Sequence, residues 1–356
     1  MTAVLHVISG LGMGGAERNL AQVADGLKSR GFPQHVVCLG PHGVWADRIR
    51  SRQIDVTTLG VESVISGPLA LLRLLSLIRS LKPAVIQGWM YHGDLFATLA
   101  HRLTPGRAHR RLIWNLRASN TDLGGYGRIV AFNAKLSSWP DLVVANSKAG
   151  LDFHVGRGYR PRRAEIIPNG IDTETFRPDA GARSAVRSEL GIAPGAVVAI
   201  HVARVDPMKD HTTFLKAMAS LPELEGLLVG LGTERLSVPP NVKALGLRHD
   251  IEKLYMAADF VVSSSAFAEG FSNALAEGMS AGLIPVATDI GDARVIVGNA
   301  GHLVPPRNPD AIVQALRQVA TLSPDKRQSM AEQARRSIVE SYSLSHNIDR
   351  YAQLYA

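Results

Sequence analysis

Two glutamates with seven residues between them, Glu269 and Glu277, flank a predicted helix start. Glu269 lies in a loop, and Glu277 lies in the first turns of the helix. The helix start is formed by Gly270, Phe271, Ser272 and Asn273, with Ser272 or Asn273 as its cap. Its N–H groups and dipole favour a diphosphate, and the carboxylates suit sugar hydroxyls because charged acceptors form strong hydrogen bonds. Alternatively, Glu277 only complements the helix dipole.

Two cations occupy another strand-to-helix junction, HVARVDPMKD at residues 201–210. Arg204 follows the strand and Lys209 starts the helix, where open α/β sheets bind ligands. A guanidinium grips phosphate oxygens in a fork and an ammonium group adds a point charge. Together they would offset the charge of a leaving diphosphate. A solvated surface pair is the alternative.

Glycines follow the first predicted strand, and Gly10, Gly12 and Gly15 have the GxGxxG spacing. An NAD-dependent oxidoreductase needs an Asp or Glu after the second strand to bind the ribose, but that strand ends near Cys38 without an acid. The missing acid counts against this alternative. The loop still offers an anion the helix-start N–H groups at Gly14 and Gly15, and a tight turn without a ligand is the other interpretation.

The elements that position these residues are short apolar runs alternating with helical patterns, which is typical of βαβ units and parallel sheets. Strands are predicted over residues 4–9, 35–39, 56–59, 85–87, 111–116, 142–145, 165–167, 197–203, 226–230, 242–246, 260–263, 284–287 and 302–304. The pattern pauses at residues 166–178, and helix starts are expected at 323–324 and 343–345. We predict two doubly wound Rossmann-like α/β domains, residues 1–168 and 169–344, which face each other across a cleft.

Composition excludes several classes of protein. The 356 residues are 46% hydrophobic and 20% charged, which is ordinary globular usage. The single Cys38 and the lack of a Cys/His cluster exclude a disulfide scaffold and a structural zinc site, and a reducing compartment is expected. No signal peptide is recognised, and the longest apolar run, residues 68–78, is far shorter than the roughly 18 to 20 residues that span a bilayer. We therefore predict a cytoplasmic protein.

Positive charge is concentrated in the first half. Residues 1–170 carry 21 Lys and Arg against 10 Asp and Glu, whereas the remainder carries 18 against 21. Two basic clusters consist of Arg107, Arg110 and Arg111, and of Arg157, Arg160, Arg162 and Arg163. They predict peripheral docking of the first domain on an anionic membrane surface, and an amphipathic segment at residues 69–81 is a second feature that favours it. Nucleic acid is the competing anion, but no recognised binding motif accompanies the charge, and simple surface solubility is the other interpretation.

Five features occur together across the chain: GGAER, PNGID, HVARVDPMKD, EGFSNALAEGMSAG, and the spacing of Glu269 and Glu277 within the last of these segments. In this order they resemble the retaining glycosyltransferases of family 4, over nearly the whole chain. The resemblance implies the GT-B fold. It also implies that the final helix, residues 345–356, returns to pack on the first domain.

The resemblance further implies roles for residues at matching positions. Arg204 and Lys209 would hold the donor diphosphate, Glu277 would bind the donor ribose, and Glu269 would lie beside the donor sugar. Backbone N–H groups of Phe271, Ser272, Asn273, Gly14 and Gly15 would complete the phosphate cradle, and Gly246, Leu247 and Arg248 would border the base. The implied activity is hexosyl transfer from a nucleotide diphosphate, UDP rather than GDP, to a hydroxyl of a glycan or polyprenyl-linked saccharide in bacterial surface polysaccharide assembly.

One position departs from the family pattern. Many members carry a His where this chain has Arg117, and a permanently charged Arg cannot act as a neutral acceptor or a proton shuttle. Arg117 could still neutralise the diphosphate or orient a sugar hydroxyl. His92 opens another strand-to-helix junction and is a candidate for acceptor binding, unless it is simply a helix-start residue.

No P-loop, HExxH or Asp-x-Asp motif is present in the sequence. We therefore predict a metal-independent enzyme without a cofactor, for which the nucleotide sugar is a substrate. A catalytically silent nucleotide-sugar-binding protein would keep Arg204 and Glu277, so it stays an alternative alongside the oxidoreductase.

Overall fold

The computed structural model describes residues 2–12, 14–117 and 124–356. In these ranges the chain forms thirteen β-strands and fourteen α-helices. The strands are β1 Val4–Ile8, β2 Gln34–Cys38, β3 Asp55–Thr58, β4 Val85–Trp89, β5 Arg111–Leu116, β6 Leu142–Ala145, β7 Ala164–Ile166, β8 Val198–Val202, β9 Glu225–Val229, β10 Val242–Gly246, β11 Phe260–Ser263, β12 Ile284–Thr288 and β13 His302–Val304. The helices are α1 Gly15–Ser29, α2 Val44–Ser51, α3 Gly67–Leu81, α4 Met90–Leu103, α5 Gly127–Leu136, α6 Lys148–Gly156, α7 Ala180–Glu189, α8 His211–Ala219, α9 Ile251–Ala257, α10 Asn273–Ser280, α11 Ala293–Val297, α12 Pro309–Ala320, α13 Pro324–Tyr342 and α14 Leu344–Tyr355.

The chain divides into two compact units. The first unit is Met1–Gly170 together with Ser345–Ala356, and the second is Ile171–Leu344. In the first unit seven parallel strands follow the order β3-β2-β1-β4-β5-β6-β7. Strands β1 and β4 are buried along their whole length, because helices cover both faces of such a sheet.

The second unit contains six parallel strands in the order β10-β9-β8-β11-β12-β13. This is the doubly wound Rossmann order, and the first unit has the same order with one strand added. The predicted α/β fold class is therefore confirmed. The strand order reverses between β1 and β4 and between β8 and β11, and the carboxyl ends at these switch points are where open sheets bind ligands.

Local sequence explains where the last helices begin. Ser323 accepts a hydrogen bond from the Lys326 N–H, and Pro324 occupies the first turn of α13. Helix α14 begins at Leu344, inside the predicted window.

Helix α3 buries Leu74 and Ile78 against the rest of the first unit and leaves Leu69 and Leu72 exposed. Among the residues described, no helix is both long and apolar enough to cross a membrane.

Helix α14 packs on the first unit. The Tyr355 hydroxyl bonds to the Gln87 side chain inside the sheet, and the Asn347 amide donates to the Pro168 carbonyl. Ile348 lies directly against Gly26, where a Cβ atom would come within 2.1 Å of the Ile348 Cδ1 atom. The small residue on α1 therefore lets the two helices approach closely.

Candidate functional site

Lys209 and Glu269 meet at the switch point of the second unit. Lys209 ends a 3-10 turn, Pro207–Lys209, after β8, and Glu269 lies in the loop after β11. The Lys209 ammonium donates to Glu269 Oε2 at 2.5 Å, and the two side chains are only 20% and 10% exposed. The structure thus joins two residues that the sequence placed in separate motifs. An ion pair this sheltered is screened less than a surface pair.

Two adjacent serines, missed in the sequence, hold this ion pair. The Ser265 hydroxyl donates to the same Glu269 Oε2 atom at 2.7 Å. The Ser264 hydroxyl lies 3.0 Å from the carbonyl oxygens of both Lys209 and Asp210. One serine therefore anchors the carboxylate and the other anchors the backbone of its partner. The signal that could have revealed them is the run of three serines, residues 263–265, that begins at the last residue of a buried strand.

The backbone around Glu269 is tightly constrained. Ala268 has a φ of 58°, a left-handed conformation that non-glycine residues rarely adopt. Gly291 passes so close that a Cβ atom there would lie 2.0 Å from the Glu269 carbonyl oxygen. Strain of this kind persists where surrounding structure enforces it, and it clusters at functional sites.

Arg204 is the exposed cation of this site. Its guanidinium donates to Asp206 Oδ2 at 2.8 Å, and 62% of the side chain is exposed. Asp206 also caps the 3-10 turn by accepting from the Met208 N–H at 3.0 Å. Exposed ion pairs are weak, so Arg204 can exchange this carboxylate for a phosphate at little cost.

Helix α10 begins as predicted, but without a side-chain cap. Ser272 occupies the N-cap position, yet its hydroxyl forms no capping hydrogen bond. In the described part of the chain, the N–H groups of Phe271 and Ser272 donate no hydrogen bond. The Gly270 carbonyl accepts a hydrogen bond from the Asp292 N–H at 3.2 Å. This helix start can therefore donate to an anion.

Glu277 is 5% exposed on α10. It is the fifth residue of the helix, beyond the first turn where a carboxylate interacts best with the helix dipole. A surface dipole partner would also stay in water. Its burial therefore favours a specific role over the dipole interpretation.

The three residues predicted to border the base follow or end β10. The Gly246 carbonyl accepts from the Gly230 N–H at 2.8 Å. Arg248 is engaged by two hydrogen bonds to Asp250, at 2.8 and 2.7 Å, which raise the pKa of its guanidinium. Leu247 is exposed, and its side chain therefore offers an apolar surface to a planar ring.

Gly14 and Gly15 begin α1 in the first unit, with Gly14 at the N-cap. The carboxyl group of Glu17 lies over Gly14, where a Cβ atom would come within 2.2 Å of the Glu17 Oε2 atom. Burial raises the pKa of Glu17. An acid in the first helical turn competes with any bound anion for the helix dipole. Glu17 belongs to the GGAER motif, and an acid three positions after a cap is a known signal of such a contact.

In the described ranges, no group of three His, Cys, Asp or Glu residues is placed to hold a metal ion.

Two family models match the chain. Residues 13–175 match the model described as Glycosyltransferase Family 4, and residues 196–321 match that described as Glycosyl transferases group 1. The chain is thus a glycosyltransferase with a family 4 domain followed by a group 1 domain.

Relatives of known name are glycosyltransferases too. D-inositol 3-phosphate glycosyltransferase of Mycobacterium sp. strain KMS is 32% identical over 162 residues, 40% of this chain and 36% of the relative. The protein of that name from Segniliparus rotundus is 30% identical over 234 residues, 60% of this chain and 50% of the relative. These matches span about a third to a half of the relatives' length.

Solved structures share the fold. Anabaena HepE in complex with UDP has a TM-score of 0.87 at 21% identity, over 99% of both chains. WaaG, a glycosyltransferase involved in lipopolysaccharide biosynthesis, has a TM-score of 0.72 at 18% identity, again over 99% of both chains. The GT-B prediction is confirmed.

Arg117 of this glycosyltransferase is held inside the first unit by two hydrogen bonds and a cation–π contact. Its guanidinium donates to Asn169 Oδ1 at 2.5 Å and to the Tyr351 hydroxyl, and it lies 4.9 Å above the Trp89 ring. Arg117 thereby ties the end of β5 to α14. Its expected contact with the donor stays a prediction.

His92 is exposed in the first turn of α4, with its ring 5.9 Å from that of Tyr126. Met90, at the start of the same helix, has a φ of 65°. A strained residue at the β1/β4 switch point is compatible with a ligand-binding junction. The role of His92 toward an acceptor stays a prediction.

Proposed function

We propose that this glycosyltransferase moves a hexose, with retention of configuration, from a UDP-sugar to a hydroxyl of a glycan or polyprenyl-linked saccharide. The Lys209–Glu269 pair carries the proposal, because it puts a cation for a leaving diphosphate next to a carboxylate for a sugar. The names of similar proteins support the donor class: HepE was solved with UDP and with UDP-glucose. WaaG supports a role in surface glycan assembly.

The chemistry follows from where charge develops. As the bond between the sugar and the diphosphate breaks, the sugar acquires oxocarbenium character and the diphosphate becomes more negative. Arg204, Lys209 and the N–H groups at the start of α10 would stabilise that negative charge. These groups supply the charge neutralisation for which other transferases use a divalent ion, so we propose metal-independent turnover.

A panel of UDP-glucose, UDP-galactose, UDP-N-acetylglucosamine and GDP-mannose tests the activity by nucleotide release, with and without excess EDTA. Release of UDP from one of these donors is expected in both conditions. The anomeric configuration of the product, read by NMR, tests retention. UDP binding without turnover of any donor would favour the silent nucleotide-sugar-binding protein, and loss of activity in EDTA with recovery in Mn²⁺ would disprove metal independence.

Glu269 and Glu277 are expected to separate catalysis from binding. Glu277→Gln should weaken UDP binding in calorimetry, since Glu277 is proposed to accept from the ribose. Glu269→Gln removes the carboxylate that pairs with Lys209, so it should not weaken UDP binding, and it should lower turnover. Equal loss of UDP affinity in the two variants would contradict the assignment.

We also propose that the enzyme works in the cytoplasm and docks peripherally on an anionic membrane. Exposed Leu69 and Leu72 on α3, together with the basic clusters of the first unit, support this partner. Binding to vesicles containing phosphatidylglycerol, weakened by salt, is expected. Equal binding to neutral vesicles, or no binding at low salt, would refute electrostatic docking.

A further inference from the structure

A cavity of about 430 Å³ in the first unit is lined by three arginines from separate elements. Arg111 is the first residue of β5, Arg163 directly precedes β7, and Arg350 lies on α14. We call this cavity the arginine pocket; its other lining residues are Glu165, Gln353 and Leu354.

The arginine pocket is remote in the sheet from the predicted substrate residues of the same unit. Because all strands are parallel, the starts of β5 and β7 lie at the amino-end edge of the sheet. Gly14, His92 and Arg117 follow strand ends and lie at the carboxyl-end edge. The pocket is therefore separate from the site described above, and an inference about it does not depend on the proposed reaction.

The positive charge of the pocket is poorly compensated. Arg111 donates to the Leu354 carbonyl rather than to a carboxylate. Arg163 is 3.5 Å from Glu165, a long contact for an ion pair. Within the described residues, the Arg350 guanidinium forms no hydrogen bond or ion pair. Three guanidinium groups thus line a pocket whose lining contains one carboxylate, that of Glu165, and repulsion among them is relieved when an anion enters.

We infer that the arginine pocket binds a phosphate group. Guanidinium groups match phosphate in planar, bidentate hydrogen bonds, and the Gln353 amide can add a neutral donor. Because the three guanidinium groups come from β5, from the residue before β7 and from α14, a bound phosphate would join α14 to the sheet. A soluble phosphate compound and a phospholipid headgroup present this same chemistry.

The test uses the 356-residue chain and the substitution Arg350→Gln, which removes one charge without removing a bond that holds the fold. The matched control is Arg336→Gln, an exposed arginine on α13 in the other unit. Hydrogen exchange of the α14 amides is measured with increasing inorganic phosphate, and sedimentation is measured with phosphatidylcholine vesicles containing phosphatidic acid. UDP affinity is measured for every variant.

Phosphate is expected to slow exchange in α14 of the wild type and Arg336→Gln, with about 10-fold weaker apparent affinity in Arg350→Gln, the cost of one charge-assisted contact. Weaker binding of Arg350→Gln than of Arg336→Gln to these vesicles, without an effect of inorganic phosphate, would support the lipid as the source, since the basic clusters are unchanged in both variants. Equal responses of both variants to both probes would overturn the inference. Unchanged UDP affinity in Arg350→Gln keeps this result independent of the proposed reaction. If Arg350→Gln fails to fold, Gln353→Glu replaces it, because this exposed residue lies outside the basic clusters and the substitution puts a negative charge into the pocket.

Discussion

Lys209 donates to Glu269 Oε2 at 2.5 Å, across 60 positions of sequence. The pair links the group proposed for the diphosphate to the group proposed for the sugar. A diphosphate that attracts the ammonium would draw it away from Glu269, and the carboxylate would then be available to the sugar. Donor binding and the state of Glu269 are therefore expected to be coupled.

Lys209→Ala is expected to lower turnover about 10- to 1,000-fold, because it removes one group that stabilises charge on the leaving diphosphate. It should also destabilise the protein by about 2 kcal/mol, since Glu269 keeps a sheltered charge without its partner. Steady-state kinetics and urea denaturation measure the two effects. In Lys209→Ala/Glu269→Ala the orphaned charge is gone, so the stability loss should be smaller than the sum of the single losses. Strict additivity would show that the pair is not coupled.

The two serines behind the pair are expected to have different kinetic effects. Ser265→Ala removes the hydroxyl from the Glu269 carboxylate and should lower turnover about 10-fold, with little change in UDP affinity. Ser264→Ala loosens the backbone at Lys209 and should weaken UDP binding. Calorimetry with UDP and turnover with saturating donor separate the effects. The same change in both variants would show that the serines only stabilise the fold.

Strands and site positions were predictable because buried parallel strands are continuous apolar runs, as in β1 and β4, and ligands bind after their ends. Arg204, Lys209 and Glu269 follow from that rule. The tertiary contacts of the candidate residues in the first unit did not follow from it. Arg117 contacts Tyr351, which is 234 positions away in the sequence. The Glu17 carboxyl group lies over Gly14 because of its side-chain conformation. Local periodicity carries no information on either contact, because tertiary packing decides them.

Tyr351 provides a test of how Arg117 acts. The Tyr351 hydroxyl accepts from Arg117 and, at 3.0 Å, from Asn115. Tyr351→Phe should leave two buried donors without this acceptor and lower the free energy of unfolding by about 1 to 3 kcal/mol. Urea denaturation measures the loss, and kinetics at a temperature where the variant is folded measure turnover. Normal turnover at that temperature would indicate that Arg117 does not need its hydrogen bond to Tyr351 of α14 for activity. A large loss of turnover with unchanged stability would instead show that Tyr351 positions Arg117 for catalysis.

His201 is expected to make the second unit sensitive to acid. Its ring is buried on β8, with Nδ1 2.9 Å from the Val262 carbonyl oxygen and its plane stacked on Phe214. Burial lowers its pKa from 6.5 to about 3. Between these values the unfolded chain binds a proton that the folded protein does not, so stability is full above pH 6.5 and falls as the pH drops towards 3.

The contribution of His201 to that loss should approach about 1.4 kcal/mol per pH unit below 6.5. His201→Gln cannot take up this proton, so its unfolding free energy should fall less steeply between pH 6.5 and 5 than that of the wild type, whatever its stability at pH 7.5. Urea denaturation at several pH values gives the slopes. The control His249→Gln changes an exposed histidine and should keep the wild-type slope. Identical slopes in His201→Gln and the wild type would show that the buried ring does not carry the acid sensitivity.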